Sequence, residues 1–274
     1  MKLGFVLPNN WGLDDPNDLI DLAVEAEERG LDSIWVNHHV LNVGYIEDRL
    51  DTRPYYDALT VLTWAAARTE RVRLGTSVLV LPYLHPMVLA KELATIDRLS
   101  GGRVIAGVGV GSLPEENAAL GVGYDDRGPF GDEAIDVMRA LWSSPTADHD
   151  GERFSFHGLK SGPQPAQSPL PVWIGGAGAP ARRRAARVGQ GWHPMCSVGG
   201  LARRLPKLVE ALDAAGRDRA SIVVAPRIDV SQLPDRAAVD AFAEAGADQL
   251  IVGTGTADVA GIREGLAQVA SFVD

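Results

Sequence analysis

Short β-branched runs alternate with amphipathic stretches along the whole chain, and few folds accommodate that rhythm. Strands are predicted at Leu3–Leu7, Ser33–Asn37, Val72–Val80, Arg103–Gly109, Val172–Gly175, Gly191–Met195, Ile222–Ile228 and Gln249–Val252. Helices are predicted between and after them, at Asn17–Arg29, Tyr56–Arg68, Pro86–Leu99, Phe130–Trp142, Ala181–Val188, Leu201–Ala214, Arg236–Ala245 and Asp258–Phe272. Each strand is followed by one helix, so the expected fold is α/β, a TIM (β/α)8 barrel of parallel strands. Gly30 and Gly246 stand where a helix stops before a strand, as glycine does at helix C-termini. The rhythm breaks once: Ser143–Pro171 is rich in Pro, Gly, Ser and His and reads as an excursion before the fifth strand. Phe154 and Phe156 alternate with polar residues there, as in a short hairpin, and Pro163, Pro165, Pro169 and Pro171 favour extended chain. Neither half alone closes a barrel, so one domain over residues 1–274 is expected.

Composition narrows the partners. The chain is 46% apolar and 23% charged, suited to a large buried core, and its net charge of −10 argues against binding nucleic acid through phosphates. A lone Cys196 forms no internal disulfide, the apolar start Leu3–Leu7 is cut short by Pro8 and Asn9, and no run would span a bilayer. These features predict a cytoplasmic protein acting on small molecules, with no membrane partner; the oligomeric state stays open, a homodimer included.

Barrels of this kind bind ligands at the C-terminal ends of their strands. After the fourth strand, Gly107-Val108-Gly109-Val110-Gly111 admits two readings, barrel packing and close approach of a ligand to the backbone. After the fifth, Ile174-Gly175-Gly176-Ala177-Gly178-Ala179-Pro180 leads into Arg182, Arg183, Arg184 and Arg187. Cations are unfavourable at a helix start unless an anion joins them, so phosphate binding is preferred to a solvated basic face. After the second strand stand Asn37, His38 and His39; alternation along a strand admits only one histidine to the barrel mouth. No further ligand at suitable spacing supports a metal, and none of the four lysines stands on a strand end as a Schiff-base aldolase requires.

Together these residues resemble the luciferase-like monooxygenase superfamily, and within it the branch of F420-dependent oxidoreductases. The resemblance runs over nearly the whole chain, through Leu81-Pro82, His85-Pro86, the stretch Ala94 to Arg103, the glycines to Gly111, Leu120-Gly121-Val122, Arg127, Asp132-Glu133, Ile174-Gly175-Gly176 and Gly191-Trp192. It implies a deazaflavin or flavin ring across the barrel mouth, with coenzyme F420 expected and FMN as the alternative. By position it implies cofactor contacts from Asn37, Ser77, Val78, Gly109, Gly111, Arg127, Gly175, Gly176, Ala177 and Arg182, with His39 as the catalytic residue beside the ring. It also implies a non-proline cis peptide at Ser77-Val78. Ser112 replaces the glutamate of the sugar-phosphate dehydrogenase branch, His38 replaces an acid, and Gln190 replaces another before Gly191-Trp192. The activity implied is hydride transfer between F420 and a small organic substrate; the alternatives are a reduced-FMN monooxygenase and a noncatalytic flavin-binding barrel.

Overall fold

In a computed structural model, which describes residues 1–273, two of the twelve strand segments form an antiparallel hairpin, Thr146–Asp150 with Ser155–Lys160. The other ten lie in one parallel sheet. Arg73–Thr76 and Leu79–Val80 are two pieces of the third barrel strand, and Val223–Val224 and Arg227–Asp229 are two pieces of the seventh, broken at Pro226. The path through the sheet begins on one piece of that seventh strand and ends on the other, so it closes. Val223 pairs with Gly191 of the sixth strand, Arg227 with Ile251 of the eighth, and the first strand joins Lys2 to Gln249 and Gly4 to Ser33. The result is the expected barrel, with a long helix after each strand.

Two apolar layers hold it. Val6, Trp35, Ile105, Trp173, Ala225 and Ile251 fill the inside, while a larger cluster joins the strands to the surrounding helices. The two interior tryptophans need space that a side chain would take: a Cβ on Gly75 would lie 2.3 Å from Trp35, and one on Gly191 2.3 Å from Trp173.

Several helix starts lie away from their predicted places, two of them fixed by side-chain caps. Asp57 accepts from the amide of Thr60 at 2.8 Å, so that helix runs Ala58–Arg68 rather than from Tyr56. Ser197 caps Val198–Ala214, and the helix predicted at Phe130 begins at Arg127. Two short helices, Tyr45–Leu50 and Pro114–Ala119, follow the second and fourth strands, where none was predicted. The third strand is not continuous: it is interrupted at a cis Ser77-Val78 peptide, where the resemblance places one. Gly30 and Gly246 adopt positive φ, 81° and 92°, at their helix ends.

The excursion is fastened to the barrel by two carboxylates. Glu133 accepts from the amides of Arg153 and Phe154 at 2.8 and 2.7 Å, and Asp97 from those of Ala166 and Gln167 at 2.8 and 2.9 Å. Among the described residues no helix is long and apolar enough to cross a membrane.

Candidate active site

A cleft of about 260 Å³ opens at the C-terminal ends of the strands, and a chain of hydrogen bonds across several of them shapes its floor. Asn9, after the first strand, donates to the carbonyl of Asn37 at 2.8 Å and accepts from its amide at 2.9 Å. The Asn37 side chain donates to Asn10 at 3.0 Å and accepts from Arg227. The same Nη1 of Arg227 donates to the carbonyl of Ser77 at 3.0 Å and its hydroxyl at 3.1 Å. Alternation along the seventh strand explains Arg227: Val223 and Ala225 face the barrel interior, and Arg227 is the next inward position, at the mouth.

Both histidines border the cleft, which corrects the expectation that only one would. The strand ends at Val36, so side-chain alternation no longer governs residues 38 and 39. His38 accepts from the amide of Val80 at 3.2 Å, and burial, the largest influence, depresses its pKa to about 4. It is a neutral, structural histidine. His39 has a different partner: its Nδ1 lies 2.5 Å from Oε2 of the fully buried Glu116. Oε1 of Glu116 accepts from the amides of Val40 and Leu41 at 2.6 and 3.1 Å. Burial works against ionising Glu116, but the His39 hydrogen bond and these amides outweigh it and hold the carboxyl below its ordinary range. An acceptor at Nδ1 fixes the His39 tautomer and leaves Nε2 directed to the Tyr45 hydroxyl, 3.2 Å away.

Glu116 was not singled out from the sequence. It stands one helical turn beyond Ser112, the position where the related branch has glutamate, and Pro114 starts the short helix that aims it back at His39. His193, at the end of the sixth strand, was also missed. Its Nδ1 donates to the carbonyl of Ala225 at 2.7 Å, so its Nε2 accepts from the Ser77 hydroxyl at 2.8 Å. Burial depresses its pKa to about 4, and its ring stacks on Trp35 with centroids 5.1 Å apart. It positions Ser77. Gln190, in place of an acid, accepts from the amide of Val172 at 3.0 Å.

The predicted cofactor residues divide into groups. Asn37, Ser77, Val78 and Gly111 line the cleft with His39. Gly109 and Gly175 do not: a Cβ on either would lie 2.7 Å from the Val78 side chain, so both are glycine to seat that valine. Gly176, with φ of 104°, and Ala177 lie at the start of helix Ala179–Val188, where the carbonyl of Ala177 accepts from Arg182 at 2.6 Å. Arg127 opens helix Arg127–Ser143, its guanidinium stacked 3.7 Å from the Tyr124 ring and its Nε buried without a hydrogen-bond partner. Arg184 joins the two helix starts by donating to the carbonyl of Gly128 at 3.1 Å. Neither start carries a side-chain cap.

The basic face of the second helix needs one correction. Arg184 is buried and held by Asp132 at 2.8 and 3.0 Å, and Arg187 pairs with Asp136 at 2.9 Å. Those two arginines clamp helices together, while Arg182, Arg183 and Arg187 border a separate hollow facing Val198–Ala214.

A closed parallel barrel with a histidine-bearing cleft at the carboxyl ends of its strands is an enzyme architecture. The luciferase-like monooxygenase family matches residues 1–270, and the chain belongs to that family. It is 36% identical to an F420-dependent glucose-6-phosphate dehydrogenase of Kineococcus radiotolerans, over 76% of this chain and 61% of that protein. It is 33% identical to the protein of that name from Gordonia bronchialis, over 86% of this chain and 70% of that one. The chain thus spans about three fifths of the first of these relatives. Among solved structures, an F420-dependent secondary alcohol dehydrogenase in complex with an F420-acetone adduct superposes with a TM-score of 0.84 at 20% identity, over 99% of this chain and 98% of that one. A monooxygenase from Streptomyces bottropensis superposes with a TM-score of 0.84 at 21% identity, over 100% and 98%. At these identities the superpositions show the shared fold.

Proposed function

We propose that this protein is an F420-dependent oxidoreductase that moves a hydride between the deazaflavin and a small organic substrate. The observation that carries the reading is the His39–Glu116 pair, which engages one imidazole nitrogen and leaves the other beside the Tyr45 hydroxyl in the cleft that Ser77 and Val78 also line. The residues fit the cofactor in two places. The cleft, at about 260 Å³, suits a ring system better than a whole nucleotide-like molecule. The two uncapped helix starts and the unpartnered Nε of Arg127 suit a phosphate, which supplies the acceptors they lack.

When bound, F420 supplies two-electron hydride chemistry at its ring. His39 gives or takes the accompanying proton at Nε2, and Glu116 keeps Nδ1 protonated and stabilises the imidazolium when it forms. Asn37, Ser77 and Arg227 fix the polar edge of the cleft, and the Val78 side chain, seated against Gly109 and Gly175, forms its wall. The names of the curated relatives support F420. That His39, Tyr45 and Tyr55 border the cleft favours turnover over passive flavin binding.

The second reading, a reduced-FMN monooxygenase, draws on the family description and the superposition with the Streptomyces enzyme. Titrating the purified protein separately with F420 and FMN discriminates the two. F420 is expected to bind at least ~10-fold more tightly, about 1.4 kcal/mol. Equal affinity, or a preference for FMN, overturns the proposal.

A further inference from the structure

In a chain of net charge −10, the cleft is lined by two arginines, Arg49 and Arg227, and, among the described residues, by no aspartate or glutamate. Glu116 lies behind His39 with no exposed surface. The Nη1 of Arg227 bonds only to neutral acceptors, on Asn37 and Ser77, and among the described residues no carboxylate pairs with its guanidinium. Asp229, two residues along the strand, is engaged instead by the amide and hydroxyl of Ser231, at 3.0 and 2.6 Å. A cation set into a barrel without a counter-ion is costly unless a ligand brings the opposite charge.

Two further donors await an acceptor nearby. The Tyr55 hydroxyl and the Nε of Arg49 are buried and have no hydrogen-bond partner, while the Arg49 guanidinium rests 4.6 Å over the Trp11 ring. A carboxylate offers acceptors only, so it matches such a set. Arg227 and Met195 also line a second hollow of about 230 Å³, adjoining the cleft, whose wall includes Val6, Pro8 and Trp11 together with Asp229, Gln232 and Thr254. The guanidinium therefore stands at the junction between the ring cleft and a hollow of mixed lining, apolar at Val6, Pro8, Trp11 and Met195.

We infer that the substrate is an organic acid: its carboxylate meets Arg227 at this junction and its apolar body occupies the hollow beside Trp11 and Met195. The inference rests on the oxidoreductase reading for the word substrate, but the anion site itself is testable without turnover.

The probes are benzoate and its neutral isostere benzamide, followed by calorimetry on the purified protein at low salt. Benzoate is expected to bind at least ~10-fold more tightly than benzamide, the scale of a single charge-assisted hydrogen bond. Arg227→Gln should abolish that margin and leave benzamide unchanged, and benzoate should still bind when F420 is saturating. Equal binding of the two probes, or full benzoate affinity in a folded Arg227→Gln protein, overturns the inference. So does competitive displacement of benzoate by F420, because the anion that Arg227 receives would then belong to the cofactor. Circular dichroism reports whether Arg227→Gln folds. If it does not, Tyr55→Phe decides, with a benzoate loss of ~3-fold or more expected and no loss overturning the site. Should benzoate bind to Arg227 while F420 fails to bind at all, the cofactor reading falls and the anion site stands.

Discussion

At the scale of single residues, the roles of His38 and His39 are separated by their partners. His39→Asn removes the proton-carrying nitrogen and is expected to lower turnover about 10²- to 10⁴-fold with cofactor affinity retained. His38→Asn should lower thermal stability and leave turnover of the folded enzyme largely intact; a large catalytic loss only in His38→Asn would reverse the assignment. Glu116→Gln keeps the shape but removes the charge that stabilises the imidazolium. Turnover should fall while cofactor affinity is retained, because the imidazolium formed during the reaction loses the carboxylate that faces it. Unchanged turnover would reduce Glu116 to a packing role. His39 was named through the family resemblance, since the strand before it did not by itself choose between the two histidines. Glu116, His193 and Arg227 were not legible, since their meaning lies in contacts that sequence proximity does not reveal: Glu116 is 77 residues from His39, and Arg227 is 190 from Asn37.

At the scale of elements, the strand and helix order was readable because alternating periodicities of two and 3.6 are properties of the local chain. The starts of helices were less so, since Asp57 and Ser197 decide them through single capping bonds. The glycines after the fourth and fifth strands admitted two readings, and the structure divides them. Gly109 and Gly175 accommodate a side chain from the third strand, whereas Gly111 borders the cleft. Gly175→Ala should therefore push Val78 toward the ring position and cost about 1–3 kcal/mol of stability. Cofactor affinity should weaken as well, and a variant with unchanged melting temperature and affinity would show that Val78 moves freely. Arg127→Ala tests the two helix starts. Loss of a charge-assisted contact there should cost about 1.5–3 kcal/mol of cofactor binding, measured by titration of folded protein. Unchanged affinity would remove Arg127 from the site.

For the whole molecule, two buried histidines make acid stability predictable. The pKa values of His38 and His193 fall to about 4, whereas an unfolded histidine takes up its proton near 6.5. The unfolded chain therefore binds more protons through this interval, so stability is full above about pH 6.5 and declines as pH falls toward 4. The loss is on the order of 3 kcal/mol per histidine by the lower end, and urea midpoints at pH 7.5 and 5 measure its course. Equal midpoints would mean that these rings are protonated without penalty. Carboxylates held below their ordinary range, Glu116 among them, act in the same direction but mainly at lower pH.

The floor of the cleft has a mechanical consequence. Its hydrogen bonds run from Asn9 and Asn37, just past the ends of the first two strands, to Arg227 in the seventh, close to the seam where the first and last strands meet. Anything bound there grips both ends of a cylinder at once. Occupancy and closure are then one equilibrium, and a ligand at 100 times its dissociation constant would add about 2.7 kcal/mol to the work of opening the cylinder. The mouth is thus a latch as well as a place for chemistry, and an empty enzyme should be the first to be cut by proteases.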